Sequence, residues 1–146
     1  QLDDKKWKVS FNKDEFIWDN GLEKAYMKVL EKKLNYNMQS LDVYINVIGG
    51  LKINEPATDL AVITAIASSC KNFVIDSKTL ILGEVGLTGE VRSVSYADRR
   101  INEAKKMGFE KCIVPESNMK SLDKITDIEL IPVQTVRQAL EYLLKK

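Results

Sequence analysis

From Pro56 to Cys70 the chain carries Leu60, Ala61, Val62, Ile63, Ala65, Ile66 and Ala67 with almost no polar face between them. A helix that is apolar on every side has to be buried, so the other elements must be arranged around it. Pro56 suits the first turn of that helix, where its missing N–H would have had no intrahelical partner. The expectation is a central helix from Pro56 to about Cys70 with more than half of its residues buried. Its apolar run, Leu60 to Ala67, is far too short to span a bilayer, and no secretory signal, transit peptide or transmembrane helix is visible.

The size of the chain fits this picture. With 146 residues, 45% hydrophobic and 29% charged, it lies in the range of one ordinary globular domain. Such a domain buries roughly 70% of its unfolded surface and needs no disulfide or structural metal to hold a core. Cys70 and Cys112 each lie in an apolar stretch rather than a C-x-x-C, which reads as buried free thiols in a reducing compartment. A cytoplasmic location follows as an expectation.

Periodicity supplies the remaining elements. Residues 1–20 alternate from Trp7 to Phe11 and again at Phe16-Ile17-Trp18, as a short hairpin or edge strands would. Leu22, Ala25, Tyr26, Val29, Leu30 and Leu34 follow helical spacing. Val43 to Ile48 reads as a strand, followed by the Gly49-Gly50 bend and a short strand at Leu51 to Ile53. Thr79 to Val85 is expected as one strand, with Gly83, Gly86 and Gly89 punctuating the turn toward Glu90-Val91-Arg92. Ser95 and Asp98 have the spacing of a capping box opening a helix that Gly108 closes. Strands are expected at Lys111 to Val114 and Ile128 to Val133, and Thr135 with Gln138 opens a last helix through Leu144. Helices and strands mix without strict βαβ alternation, so the fold class is α+β with mixed strand directions.

The composition also removes reaction classes. There is no histidine, which excludes Ser-His-Asp triads, Cys-His dyads and His-ligated metals within this chain. A net charge of +1 gives no argument for nucleic-acid binding from the total, so a local basic face would have to supply it. One stretch qualifies: Arg92, Arg99, Arg100, Lys105, Lys106 and Lys111 stand against Asp98, Glu103 and Glu110. The plain reading of that excess is a solvated helix face with lysines placed favourably at its C-terminus.

Longer strings carry a resemblance. Asp42-Val43-Tyr44-Ile45-Asn46-Val47-Ile48-Gly49-Gly50-Leu51-Lys52-Ile53, then Asn54-Glu55-Pro56-Ala57-Thr58-Asp59-Leu60-Ala61, then Gly83-Glu84-Val85-Gly86-Leu87-Thr88-Gly89-Glu90-Val91-Arg92 occur in one order. Arg100-Ile101-Asn102-Glu103-Ala104 and Ile113-Val114-Pro115-Glu116-Ser117-Asn118 continue it. Together they resemble the C-terminal Lon-protease-like domain of the bacterial RadA (Sms) family of DNA repair and recombination proteins. The resemblance implies a Lon proteolytic-domain-like (ribosomal protein S5 domain 2-like) fold with a mixed sheet over residues 21–146. It leaves residues 1–20 as a divergent N-terminal segment.

Lon proteases place a serine just after the proline that starts the buried helix, and a lysine on the helix after the glycine-rich turn. Laid on that pattern, Ala57 occupies the serine position and Asp98 the lysine position, so the resemblance implies a pseudoprotease in which the two face a shallow groove. An alanine methyl cannot attack a carbonyl, and a carboxylate beside it has no nucleophile to activate. Thr58 is turned about 100° away along a helix, and Ser68 and Ser69 lie three turns on. The enzyme-class alternative is a Lon-like Ser-Lys peptidase with displaced catalytic residues. Asp59 and Asp98 could pair for acid-base work or a divalent ion, but each also suits the first turn of a helix. The glycine-rich turn lacks the Lys-Ser/Thr of a phosphate loop.

The resemblance further implies a non-catalytic domain of an ATP-dependent branch-migration helicase, in which it builds a hexameric ring and contacts DNA. Arg92, Arg99 and Arg100, with Lys52, are the candidate phosphate contacts. Single-stranded or branched DNA, further copies of the chain and a recombinase are the implied partners, with no membrane. ATP, Mg and Zn are implied only for upstream domains, with none in this fragment. A third reading is a purely structural subunit without nucleic-acid contact.

Overall fold

The computed structural model describes residues 2–3, 6–8, 42–44 and 55–145. The helix expected from Leu22, the hairpin residues beyond Lys8, the strand residues after Tyr44 and the candidate contact Lys52 lie outside the described residues. Near the N-terminus, β1 (Leu2–Asp3) pairs antiparallel with β2 (Lys6–Lys8), and β2 pairs parallel with β3 (Asp42–Tyr44), with Trp7 opposite Val43.

The larger part is built on a parallel sheet in the order β4 (Thr79–Ile81), β7 (Lys111–Pro115), β8 (Glu129–Val133). An antiparallel ribbon of β5 (Glu84–Val85) and β6 (Val91–Arg92) stands beside it. Strand directions are therefore mixed and the class is α+β, in agreement with the sequence. The central strand β7 shows why one short segment organises the core. Successive strand side chains point to opposite faces. Ile113 accordingly joins α1 (Asp59–Lys71) and α3 (Val136–Leu144) on one side, in a cluster with Leu60, Ile63, Ile66, Leu140 and Leu143. Cys112 and Val114 join Ala97 and Ile101 of α2 (Ala97–Lys106) on the other.

The apolar helix departs from expectation in two respects. It opens as a 3-10 turn, Pro56–Thr58, and becomes α-helical only at Asp59. Of the fifteen residues from Pro56 to Cys70 seven are buried, which is less than half: Ala57, Asp59, Leu60, Ile63, Thr64, Ile66 and Ala67. The spacing of Leu60, Ile63 and Ala67 is one helix face pressed on the sheet, while Val62 and Ser69 are partly covered and Ala65 is exposed.

The single strand expected from Thr79 to Val85 is two strands in two sheets. The Leu82 N–H still bonds to the Ile113 carbonyl at 2.9 Å, but at Gly83 the backbone turns to the start of α1. The helix needs partners for its free N–H groups there, and Gly83 supplies a carbonyl. The capping box is also absent. Tyr96, in the left-handed conformation (φ 58°, ψ 37°), precedes α2, and no side chain caps it. The Ser95 carbonyl instead accepts Arg100 Nε–H at 2.8 Å.

Other local signals correspond to structure. Gly108, at φ 95°, follows α2, and the N–H groups of Gly108 and Phe109 bond to the carbonyls of Lys105 and Ala104, both at 3.1 Å, as in a Schellman ending. Thr135 Oγ1 accepts the Gln138 N–H at 3.1 Å and so caps α3.

Candidate functional site

Three hydrogen bonds fix the start of α1 against the segment between the sheet and the ribbon. Gly83 N–H donates to the Ala57 carbonyl at 3.0 Å, Leu60 N–H donates to the Gly83 carbonyl at 3.0 Å, and Val85 N–H donates to Asp59 Oδ2 at 3.1 Å. The approach is close enough that only glycine fits: a Cβ at residue 83 would lie 2.8 Å from Val91 Cγ1. Buried Asp59, read from the sequence as a helix-terminus acid, thus also ties the helix to β5.

The helix start forms one wall of a cleft of about 320 Å³ lined by Pro56, Ala57, Ser93, Ser95, Tyr96 and Arg100, with Glu55 and Glu84 at its polar edges. Asn118 fixes Val94, which also lines the cleft. Its buried side chain accepts Val94 N–H at 2.9 Å and donates to the Val94 carbonyl at 3.0 Å, so the segment after β6 is gripped at one residue from both directions.

Two arginines make three ion pairs beside the cleft. Arg100 Nη2 meets Glu55, and Arg92 meets Glu90 Oε2 at 2.8 Å and Glu84 Oε2 at 3.8 Å. Glu90 also accepts from the Thr88 hydroxyl. That bond, its own backbone N–H and Arg92 hold its carboxyl down at about 2. Arg99 points outward from α2, its guanidinium 4.8 Å from the centre of the Tyr96 ring.

The predicted positions distribute unevenly over this geometry. Ala57 is buried and lines the cleft, as does Tyr96, whereas exposed Asp98 does not. Asp98 sits one residue along from Ala97, which packs in the same cluster as Ala57. Asp59 is buried while Asp98 is exposed, and among the described residues no group of three or more Cys, Asp or Glu side chains could hold a metal ion. Thr58 spends its hydroxyl on the Glu55 carbonyl at 2.8 Å, and Ser68 bonds to the Phe73 carbonyl. Among the described residues no lysine lines the cleft.

Sequence reasoning missed Ser93, Ser95, Tyr96 and Asn118 as site residues. The first three sit at a bend whose geometry no periodicity announces. Arg92, Arg99 and Arg100 are near one another in the chain but differ in state: Arg92 and Arg100 are ion-paired, and Arg99 carries an aromatic contact.

A parallel sheet covered on both faces, with a ribbon and a cleft at the start of its apolar helix, defines an α+β domain whose cleft offers hydroxyls but no lysine among its described walls. The chain belongs to the family described as subunit ChlI of Mg-chelatase, whose model matches residues 23–118. It is homologous to proteins named DNA repair protein RadA. It is 46% identical over 126 residues to that of Halalkalibacterium halodurans, covering 86% of this chain and 28% of the relative. With that of Bacillus subtilis it shares 43% over 122 residues (84% and 27%), and with that of Chlamydia pneumoniae 42% over 120 residues (81% and 26%). The chain spans about a quarter of the length of the curated relatives it matches.

Proposed function

We propose that this chain is a Lon-like, non-proteolytic domain of a RadA-type DNA repair protein, serving ring assembly and contact with the DNA backbone. The observation that carries the non-proteolytic part is Ala57 in the cleft wall at the position the Lon pattern gives to serine, with no lysine among the described lining residues. Ser93 and Ser95 bring hydroxyls to the cleft, but no lysine stands among its described lining residues to supply the neutral amine that a Ser-Lys pair needs.

The DNA contact rests on the basic stretch along β6 and α2. Arg99 is exposed and makes no ion pair among the described residues; Arg92 is exposed on the ribbon, with its Nε and Nη2 on Glu90, so a phosphate there takes the place of that carboxylate. An arginine fork donates two parallel hydrogen bonds to phosphate oxygens and fixes position on the strand without reading sequence. Arg100 is engaged by Ser95 and Glu55, and its part in this reading is to hold the bend that carries Tyr96. A hexameric ring, a recombinase partner, single-stranded or branched DNA as substrate, and ATP-driven helicase activity with ATP, Mg and Zn in upstream domains belong to the reading through the family resemblance. So does a cytoplasmic location; among the described residues no helix is long and apolar enough to cross a membrane.

A fluorogenic-peptide assay separates this reading from a displaced Ser-Lys peptidase. The unmodified chain is expected to give no turnover, with an Ala57→Ser/Asp98→Lys variant as comparison. Turnover by the unmodified chain would replace the proposal with the peptidase. Ring assembly is tested by sedimentation of the RadA-length protein with ATP and DNA, where a stable monomer would remove it.

A further inference from the structure

Tyr96 is unusual in two independent ways. It is 64% exposed, although a tyrosine ring normally covers apolar surface. It also holds a left-handed backbone conformation that is a genuine outlier for a bulky side chain, at a position where asparagine or glycine would sit without strain. The strain is sustained from both sides: the Tyr96 carbonyl accepts Arg100 N–H at 3.1 Å, and the neighbouring Ser95 carbonyl accepts the Arg100 side chain. Nothing in the packing needs an aromatic there, since the buried residues of this region are Val94, Ala97 and Ile101.

The result is a ring presented at the edge of the cleft, with the guanidinium of Arg99 4.8 Å from its centre. That guanidinium lies over one face of the ring, steadies it through a cation–π contact and sets a positive charge there, so a stacking base takes the other face. An exposed aromatic next to an arginine, at the mouth of a cleft, is the arrangement on which an unpaired base stacks while its phosphate meets the cation. A paired base keeps its faces inside the duplex and offers none to the ring.

We infer that Tyr96 is a stacking platform for an unpaired base of single-stranded nucleic acid, with Arg99 beside it to meet the adjoining phosphate. The inference rests on the DNA-contact reading above and adds to it a preference for bases over bare backbone. Stacking is insensitive to base identity, so the platform selects unpaired strands without selecting sequence.

The test is binding of the chain, at low salt, to a fluorescein-labelled oligothymidylate and to an abasic oligonucleotide of the same length and charge. The native chain is expected to prefer the oligothymidylate by about tenfold. Tyr96→Phe should keep the preference. Tyr96→Asn should abolish it, with affinity for the abasic strand unchanged and no loss of thermal stability, because asparagine accepts the left-handed backbone. Equal affinity of the native chain for both strands would overturn the stacking inference and leave phosphate contact standing. A preference that persists in Tyr96→Asn would overturn it too, and failure to bind either strand would overturn both readings.

Discussion

The side-chain amide of Asn118 and the backbone of Val94 are joined by two hydrogen bonds, one given at 3.0 Å and one received at 2.9 Å. The amide thereby does what a neighbouring strand would do for one residue, just where β6 ends and the cleft wall begins. Both residues are buried, so neither backbone group has water as a substitute. Asn118→Ala is expected to lower stability by about 2 to 4 kcal/mol, the combined desolvation penalty of two buried groups left unpaired. Urea denaturation checks this, and a loss below about 0.5 kcal/mol, the range of ordinary surface substitutions, would mean that water or a local shift replaces the amide.

Gly83 makes a second expectation, of steric origin. An alanine methyl there would press on Val91 Cγ1 at 2.8 Å and on Leu60 at 3.3 Å. Both are buried core side chains with little room to move. Gly83→Ala is expected to destabilise the fold by about 1 to 3 kcal/mol, the usual range for overpacking. Thermal unfolding measures it, and an unchanged midpoint would show that the ribbon can move off α1.

The apolar segment after Pro56, the strand at Lys111 and the cap at Thr135 were legible because each follows from a local rule: an apolar run of helix length, a short apolar run of strand length, a side-chain acceptor three residues before its donor. The split at Gly83 and the left-handed Tyr96 were not. The first goes with Ala57 and Leu60, more than twenty residues away in sequence; the second goes with Arg100, whose N–H and side chain bond to the Tyr96 and Ser95 carbonyls in a local arrangement that no periodicity marks. The cleft was legible only in part, through Ala57. Its lining at Val94 depends on Asn118 reaching across 24 positions, which no spacing in the chain reveals.

The two thiols should differ in reactivity. Burial pushes the Cys112 thiol up to about 12 from an ordinary value of 9.0, and burial raises that of Cys70 as well, opposed by the nearby Lys71 charge. Cys112 is fully buried and Cys70 only partly. A maleimide probe at neutral pH is expected to modify Cys70 slowly and Cys112 only after denaturation. The raised folded value also sets a sign for stability. Below about 9 the thiol is protonated in both states, and between about 9 and about 12 the unfolded chain loses the proton first, so stability falls as pH rises through that window. Native-state modification of Cys112 at the rate of Cys70 would contradict the burial.

The central claim is that the exposed arginines of β6 and α2 meet DNA phosphates. Its most direct test is a salt titration of binding to a labelled single strand, comparing the native chain with Arg92→Ala, Arg99→Ala and the double variant. Lys145→Ala, just beyond α3 on the other side of the sheet, serves as control. Each lost phosphate contact on a single strand flattens the slope of log affinity against log salt by about 0.7. Binding should be weak, because few contacts release few counterions. The expected result is a slope reduced by about 0.7 for each single arginine variant and by about 1.4 for the double, with the control unchanged. An unchanged slope and affinity in the double variant would contradict the claim and return this basic face to plain solvated surface.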